Sequence, residues 1–130
     1  MKENVEYWLS IADYDIETAK AMLNSGRLLY VGFMCHQTIE KALKAVLSRD
    51  CEEGEFPPKI HNLFKLAQQA DLFELMSDLQ QDLVFELNPL NIEVRYPEYK
   101  KQIDAGLTKE SCRKLFKATE GLLCWIKEQL

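Results

Sequence analysis

Residues 28–47 read LLYVGFMCHQTIEKALKAVL, and this stretch decides the fold class. Apolar side chains recur there every three or four residues, which is the spacing of one face of an α-helix. The stripe consists of Val31, Cys35, Thr38, Ile39, Ala42, Leu43, Val46 and Leu47. A stripe this broad predicts a helix with neighbours on two sides, as in a helical bundle.

Helical patterns also occupy the sequence on either side of this stretch. A first helix is predicted from about Asn4 to Leu23, ended by Ser25-Gly26, because glycine readily adopts the left-handed conformation that closes a helix. After a loop at 50–59, the other predicted elements are a short helix over 62–70, a fourth helix over 72–87 capped by Asp71, and a last helix starting at Thr108. The residue before Pro89 disfavours the α conformation, so the fourth helix should weaken or end at Asn88.

No useful stretch shows the alternation of a β-strand. The sequence therefore predicts an all-α protein: one domain over residues 1–130, folded as an antiparallel four-helix up-and-down bundle with one additional short helix.

Composition limits the function classes. The net charge of −5 argues against a surface that coats duplex nucleic acid, although a local phosphate site remains open. There is no apolar run of about 20 residues, so no membrane span is expected. The N-terminal residues do not resemble a signal peptide, and the four cysteines lack metal-ligand spacing. We expect a cytoplasmic protein with reduced thiols, no metal and no cofactor.

Polar residues of the second helix form the first candidate site. His36 and Glu40 are four residues apart, as are Gln37 and Lys41, so each pair lies on one helix face. Lys44 continues the row of His36 and Glu40. These side chains either line a binding site or form a solvated helix surface on which a hydrogen bond holds the histidine.

Arg95 is the second candidate, within Arg95-Tyr96-Pro97-Glu98-Tyr99. An arginine beside aromatic rings, on a backbone stiffened by proline, suits a phosphate or a stacked base. Alternatively, Arg95 pairs with a carboxylate while Tyr96 and Tyr99 cover the end of the bundle.

Two further features have simple structural interpretations. The last helix has a basic stripe, which consists of Lys109, Arg113, Lys114 and Lys117. This stripe either contacts an acidic partner or RNA, or it is the solvated face of an amphipathic helix. His61, just before the short helix, is expected to help cap it. Two histidines so far apart in sequence form no recognisable metal motif.

The ordered set of segments resembles the HEPN family, the higher-eukaryote and prokaryote nucleotide-binding domains. The strongest part is the stretch 36–45, HQTIEKALKA, followed by His61-Asn62-Leu63 and later by Arg95-Tyr96-Pro97; Trp8 and the stretch 12–15, ADYD, agree in the first helix. The resemblance implies a small helical homodimer, often acting with a minimal nucleotidyltransferase and grouped with toxin–antitoxin systems. It also implies an Arg-x(4–6)-His ribonuclease motif in many members.

This sequence departs from that motif, because no histidine follows Arg95. Lysines at 100 and 101 are poor general bases near neutral pH, since the unperturbed lysine pKa is about 10.4. The expectation is therefore a nucleotide- or RNA-binding module with no assigned catalytic residue. Arg95 would hold phosphate and Tyr96 and Tyr99 would shape the pocket, while a facing helix would supply His36, Gln37, Glu40 and Lys44. The alternatives are a ribonuclease with a degenerate motif and a purely structural dimerisation or interaction domain.

Overall fold

The computed structural model describes residues 2–91 and 107–130. Within those ranges the chain is all-helical and contains no strand. The α-helices are α1 (Glu3–Asn24), α2 (Leu29–Ser48), α3 (Leu63–Gln69), α4 (Asp78–Leu87) and α5 (Lys109–Glu128), with short 3₁₀ turns at Phe73–Leu75 and Asn88–Asn91. No helix in the described part of the chain combines the length and the apolar character that crossing a bilayer requires.

The first two helices form an antiparallel pair. Gly26 adopts the left-handed conformation, with φ of 79°, and closes α1 as the sequence predicts. At the other end of the pair, the Asn4 side chain donates to the Ser48 carbonyl at 2.9 Å, and Lys2 donates to the Arg49 carbonyl at 2.6 Å. The start of α1 therefore lies against the end of α2.

Helix α5 runs in the same direction as α2. Near its start, the Cys112 thiol approaches the Leu28 carbonyl at 3.9 Å, and beyond its end the Gln129 carbonyl accepts from Arg49 at 3.1 Å. The predicted cap is confirmed: the Thr108 hydroxyl accepts from the Ser111 amide, while the Ser111 hydroxyl accepts from the Thr108 amide. The largest fully buried side chains of the core come mainly from α2, α3 and α5, among them Ile39, Leu43, Leu63, Leu66, Leu122 and Ile126.

The prediction for the fourth helix is wrong at its start. Asp71 does not cap it, because this residue adopts a left-handed φ of 58° two positions beyond the end of α3, whereas an N-cap residue is extended. The helix begins instead at Asp78, where Ser77 and Gln80 form a reciprocal capping box. Leu75 and Leu79 belong to a row of leucines spaced four residues apart, the spacing of one buried helix face, yet they are 65% and 82% exposed. The end is as predicted, since α4 stops at Leu87 and gives way to a 3₁₀ turn at Asn88-Pro89.

All four cysteines are free thiols. Cys35 and Cys112 are buried, and burial raises the pKa of the Cys35 thiol to about 12, so this group stays protonated at neutral pH. Cys124, in contrast, lies exposed on α5.

Candidate functional site

A buried carboxylate, that of Glu40, is the centre of the polar site on α2. Its side chain is fully buried, yet four nitrogen atoms surround it. Oε1 lies 2.9 Å from His61 Nδ1 and 3.3 Å from His36 Nε2, and Oε2 lies 3.1 Å from Nζ of both Lys41 and Lys44. We call these five residues the Glu40 cluster. An ionised carboxyl group is stable in an apolar interior only with such partners.

The helical repeat assembles most of this cluster. His36, Glu40 and Lys44 are spaced by four residues, so their side chains lie above one another on a single face of α2. The predicted contact between His36 and Glu40 is confirmed. So is the neighbouring pair, because Lys41 Nζ donates to Gln37 Oε1 at 2.9 Å. The alternative of a solvated helix surface fails for His36, Glu40 and Lys44, which are all buried, although the hydrogen bond that it gave to the histidine is present.

His36 ties α2 to the end of α4. Its Nδ1 lies 2.9 Å from the Leu87 carbonyl oxygen, which only accepts hydrogen bonds, so Nδ1 is the donor. Its Nε2 faces Glu40 and donates there when it carries a hydrogen. The ring is fully buried, so both of its nitrogens are committed to contacts inside the protein.

The surroundings of Glu40 set its charge state. Burial alone raises a carboxyl pKa and is the largest single influence here. Hydrogen bonds from His36 and His61, together with the charges of Lys41 and Lys44, outweigh it and lower the pKa of Glu40 well below its usual range. Glu40 is therefore a carboxylate at neutral pH.

His61 is the one exposed ring of the cluster. The capping role predicted for it is wrong: Asn62 caps α3, with its side-chain oxygen accepting from the Lys65 amide at 3.0 Å. His61 instead donates through Nδ1 to Glu40, and its side chain is 63% exposed. The buried carboxylate thus fixes one ring nitrogen and leaves Nε2 facing away from that contact.

Asparagine side chains hold this histidine segment against α4. Asn88 Oδ1 accepts from the Leu63 amide at 2.8 Å, and its Nδ2 donates to Asn62 Oδ1 at 3.3 Å. The start of α3 and the end of α4 therefore meet beside the Glu40 cluster. The next turn also contacts α2, where Gly32 leaves room for the Leu90 side chain.

Helix α1 completes the surroundings of the cluster. Lys44 Nζ lies 5.7 Å from the centre of the Trp8 ring, within the range of a cation–π contact. Asp15 is half-buried, and burial raises the pKa of its carboxyl group, with Lys41 opposing the shift and Glu40 adding to it. Sequence reasoning missed Asp15, although the ADYD stretch of the first helix contains it.

Three of the candidate ligand residues, Arg95, Tyr96 and Tyr99, lie outside the described residues. The first described range ends at Asn91, just after the contacts of Leu87 and Leu90 with α2. In the sequence Arg95 follows Asn91 by four positions.

The remaining candidates are a metal centre and the basic stripe of α5. Within 2–91 and 107–130, no group of three or more His, Cys, Asp and Glu side chains could hold a metal ion. In the Glu40 cluster, the two ammonium groups on Oε2 would also repel a cation. The basic stripe of α5 is exposed. Two of its lysines form ion pairs within the helix: Lys114 Nζ lies 3.5 Å from Glu110 Oε1, and Lys117 Nζ lies 3.5 Å from Glu120 Oε1.

Comparisons with known proteins support one fold and one family. The chain is similar to the crystal structure of TT1696 from Thermus thermophilus, with a TM-score of 0.75 and 20% sequence identity; the match covers 99% of this chain and 100% of that one. At that identity the likeness shows the fold alone. The chain has no match among the curated proteins. The family model of the HEPN domain matches residues 5–129, nearly the whole sequence. The chain therefore belongs to the HEPN domain family.

Proposed function

We propose that this protein binds a phosphate-containing ligand, a nucleotide or RNA, at the exposed edge of the Glu40 cluster together with Arg95. The observation that supports this most directly is the Glu40 carboxylate, which holds Lys41 and His61 at fixed positions on the surface side of a buried network. Cations and imidazole N–H groups suit phosphate oxygens. Preorganised donors also lose little conformational entropy when a ligand binds.

The buried members of the cluster have a supporting role in this proposal. Glu40 and Lys44 bind each other, and His36 binds the Leu87 carbonyl, so these residues position the edge without touching the ligand. Gln37, Lys41 and His61 are then the groups of the described chain that reach the ligand. Arg95 supplies the main phosphate contact, with Tyr96 and Tyr99 shaping the pocket.

The proposed assembly follows the family. We infer that the helices form an antiparallel up-and-down four-helix bundle with α3 as the additional short helix. The bundle acts as a homodimer, in a toxin–antitoxin-like pair with a minimal nucleotidyltransferase. Light scattering during size-exclusion chromatography should give twice the chain mass, and co-expression with a neighbouring nucleotidyltransferase gene should yield a complex. A monomer that fails to retain that enzyme would contradict this assembly.

Replacing Arg95 tests the binding site. Arg95→Ala should weaken binding of a labelled single-stranded RNA, or of ATP as the nucleotide probe, by at least about tenfold, because a charged hydrogen bond contributes about 1.5–3 kcal/mol. Fluorescence anisotropy measures the affinity, and circular dichroism should show an unchanged melting temperature. Lys20→Ala removes an exposed cation from α1 and should leave the affinity within about twofold, as expected for a surface charge away from the site. Equal affinities of Arg95→Ala and the unsubstituted protein would refute the proposal.

A metal-independent ribonuclease is the second candidate, and the geometry of His61 favours it. A buried carboxylate that accepts from Nδ1 leaves Nε2 of a neutral imidazole free to take a proton, as in hydrolase triads. His61 Nε2 would accept the proton of an RNA 2′-hydroxyl while the 2′-oxygen attacks phosphorus. The P–O5′ bond then breaks, leaving a cyclic 2′,3′-phosphate, and the departing O5′ takes a proton from water.

Cleavage of labelled RNA in the presence of a chelator separates the two candidates. The ribonuclease would lose about 100-fold or more of its rate in His61→Gln, the usual contribution of a general base, while retaining its affinity for RNA. A binding module would show no cleavage that depends on His61 or Arg95.

A further inference from the structure

A cleft lies where the start of α1 meets the loop after α2, and its lining includes Trp8 but no member of the Glu40 cluster. Its volume is about 630 Å³, within the range of sites that hold drug-sized groups. Residues 2–4 and 7–8 form one wall and residues 51–57 the other. We call it the 51–57 cleft.

Aromatic side chains give this cleft an apolar lining that is open to water. Phe56 is 72% exposed and Tyr7 is 58% exposed, while the Trp8 ring packs edge-on against Tyr7 with a centroid distance of 5.5 Å. Exposed aromatic rings of this kind are enriched at the centres of protein interfaces. Their faces also attract cations through the ring quadrupole.

The charge of the lining has one dominant sign. Four carboxylates line the cleft, from Glu3, Glu52, Glu53 and Glu55, against the single cation of Lys2. The Lys2 ammonium already binds the carbonyls of Arg49 and Cys51, at 2.6 and 3.2 Å. Among the described residues, no ion pair involves Glu3, Glu52 or Glu53.

The walls of the cleft are held in place by internal bonds. Lys2 and Asn4 connect the start of α1 to the end of α2, as described above. On the opposite wall, the Glu52 amide donates to Glu55 Oε1 and the Glu55 amide donates to the Glu52 carbonyl, both at 3.0 Å. Gly54 supplies the left-handed φ of 87° that this turn requires. The acidic and aromatic groups are therefore presented by a closed turn.

We propose that the 51–57 cleft is a docking site for a partner protein's extended segment that carries arginine beside an apolar residue. Charge complementarity supports this occupant, because the carboxylates of Glu52 and Glu53, which form no ion pair with any described residue, match guanidinium groups. The rings of Tyr7 and Phe56 suit both the planar guanidinium and an apolar neighbour. A single amino acid would leave much of the 630 Å³ unfilled. This inference is independent of the nucleotide or RNA site.

Binding of short peptides tests the proposal. A fluorescein-labelled Leu-Arg-Leu-Arg-Leu peptide should bind, and the matched Leu-Gln-Leu-Gln-Leu peptide should bind at least about tenfold more weakly, as expected from the loss of charge-assisted contacts. Amide chemical shifts in ¹⁵N-labelled protein should change mainly over residues 2–8 and 51–57. Shifts confined to the acidic surface elsewhere would overturn the proposal.

Substitutions at exposed positions distinguish binding in the 51–57 cleft from nonspecific attraction of a basic peptide to an acidic protein. The pair E52K/E53K and the single change F56A should each weaken the arginine peptide at least about tenfold, by removing charge and a stacking surface respectively. The pair E74K/D82K makes the same charge change at exposed positions near α4 and should alter affinity less than about threefold. Equal weakening by both lysine pairs would overturn the proposal, since it would show attraction by net charge alone.

The remaining outcomes identify other occupants. Spermine binding as tightly as the arginine peptide, with the same variants weakening it, would show a small-cation site and overturn the docking role. Self-association of the protein that F56A abolishes would show that a second copy covers the cleft, which also contradicts the proposal.

Discussion

Replacing Glu40 with alanine should destabilise the protein by about 3–5 kcal/mol, because it leaves the buried Lys44 ammonium without its counter-charge and the buried His36 ring without its hydrogen-bond partner. Lys44 and His36 are buried beside Glu40 and would remain so unless the fold opened. For a chain of 130 residues, this loss corresponds to a fall in melting temperature of roughly 10–20 °C. Urea unfolding followed by circular dichroism measures the free energy of unfolding directly.

An exposed ion pair provides the matched control for this prediction. Asp13 contacts Lys127 at 2.6 Å, but both side chains are partly exposed to water. Asp13→Ala should therefore cost less than about 1 kcal/mol. The double change Glu40→Leu with Lys44→Met should recover part of the loss, since apolar groups of similar volume can replace a buried ion pair. If Glu40→Ala cost no more than Asp13→Ala, the Glu40 cluster would contribute little to the stability of the fold.

Local signals are sufficient to predict most helices. The helix predicted over 28–47 differs from α2 by one residue at each end, and Thr108 caps α5 as expected. The start of α4 is predicted wrongly because two local signals disagree. The leucine spacing extends the helix toward residue 72, whereas the capping signal of Ser77 and Gln80 begins it at Asp78. Leu75 and Leu79 continue the four-residue step but have no core to enter, while Ser77 and Gln80 satisfy backbone groups at once. Periodicity identifies a face, and only tertiary packing decides whether that face is buried.

The candidate site is predictable only within one helix. A four-residue step brings His36 to Glu40 in any α-helix, so this contact follows from the sequence. The contact of His61 with Glu40 joins residues 21 positions apart and depends on how α3 packs against α2. The burial of Lys44 cannot be predicted from the sequence either, because charged side chains on helices are usually exposed and no local pattern marks the exception.

The stability contributed by Glu40 should disappear in acid. Its pKa is lower in the folded protein than in the unfolded chain, so the unfolded state takes up the proton first. This contribution is complete above the unfolded pKa of about 4.3 and declines as pH falls below it, by up to about 1.4 kcal/mol per pH unit. The difference in unfolding free energy between the unsubstituted protein and Glu40→Gln should therefore narrow by about 2 kcal/mol between pH 5 and pH 3.

The sign of this effect separates Glu40 from the other carboxyl group near the cluster. Burial raises the pKa of Asp15, so Asp15→Asn should relieve a cost that is present above the folded pKa of Asp15 and fades as pH falls through it. As the pH falls, the free energy of unfolding of each variant should therefore approach that of the unsubstituted protein. Glu40→Gln starts as the less stable protein, and Asp15→Asn starts as the more stable one. Urea titrations of all three proteins at a series of pH values measure both trends. A gap for Glu40→Gln that stays constant between pH 5 and pH 3 would show that the groups facing Glu40, which are His36, His61, Lys41 and Lys44, do not hold it ionised.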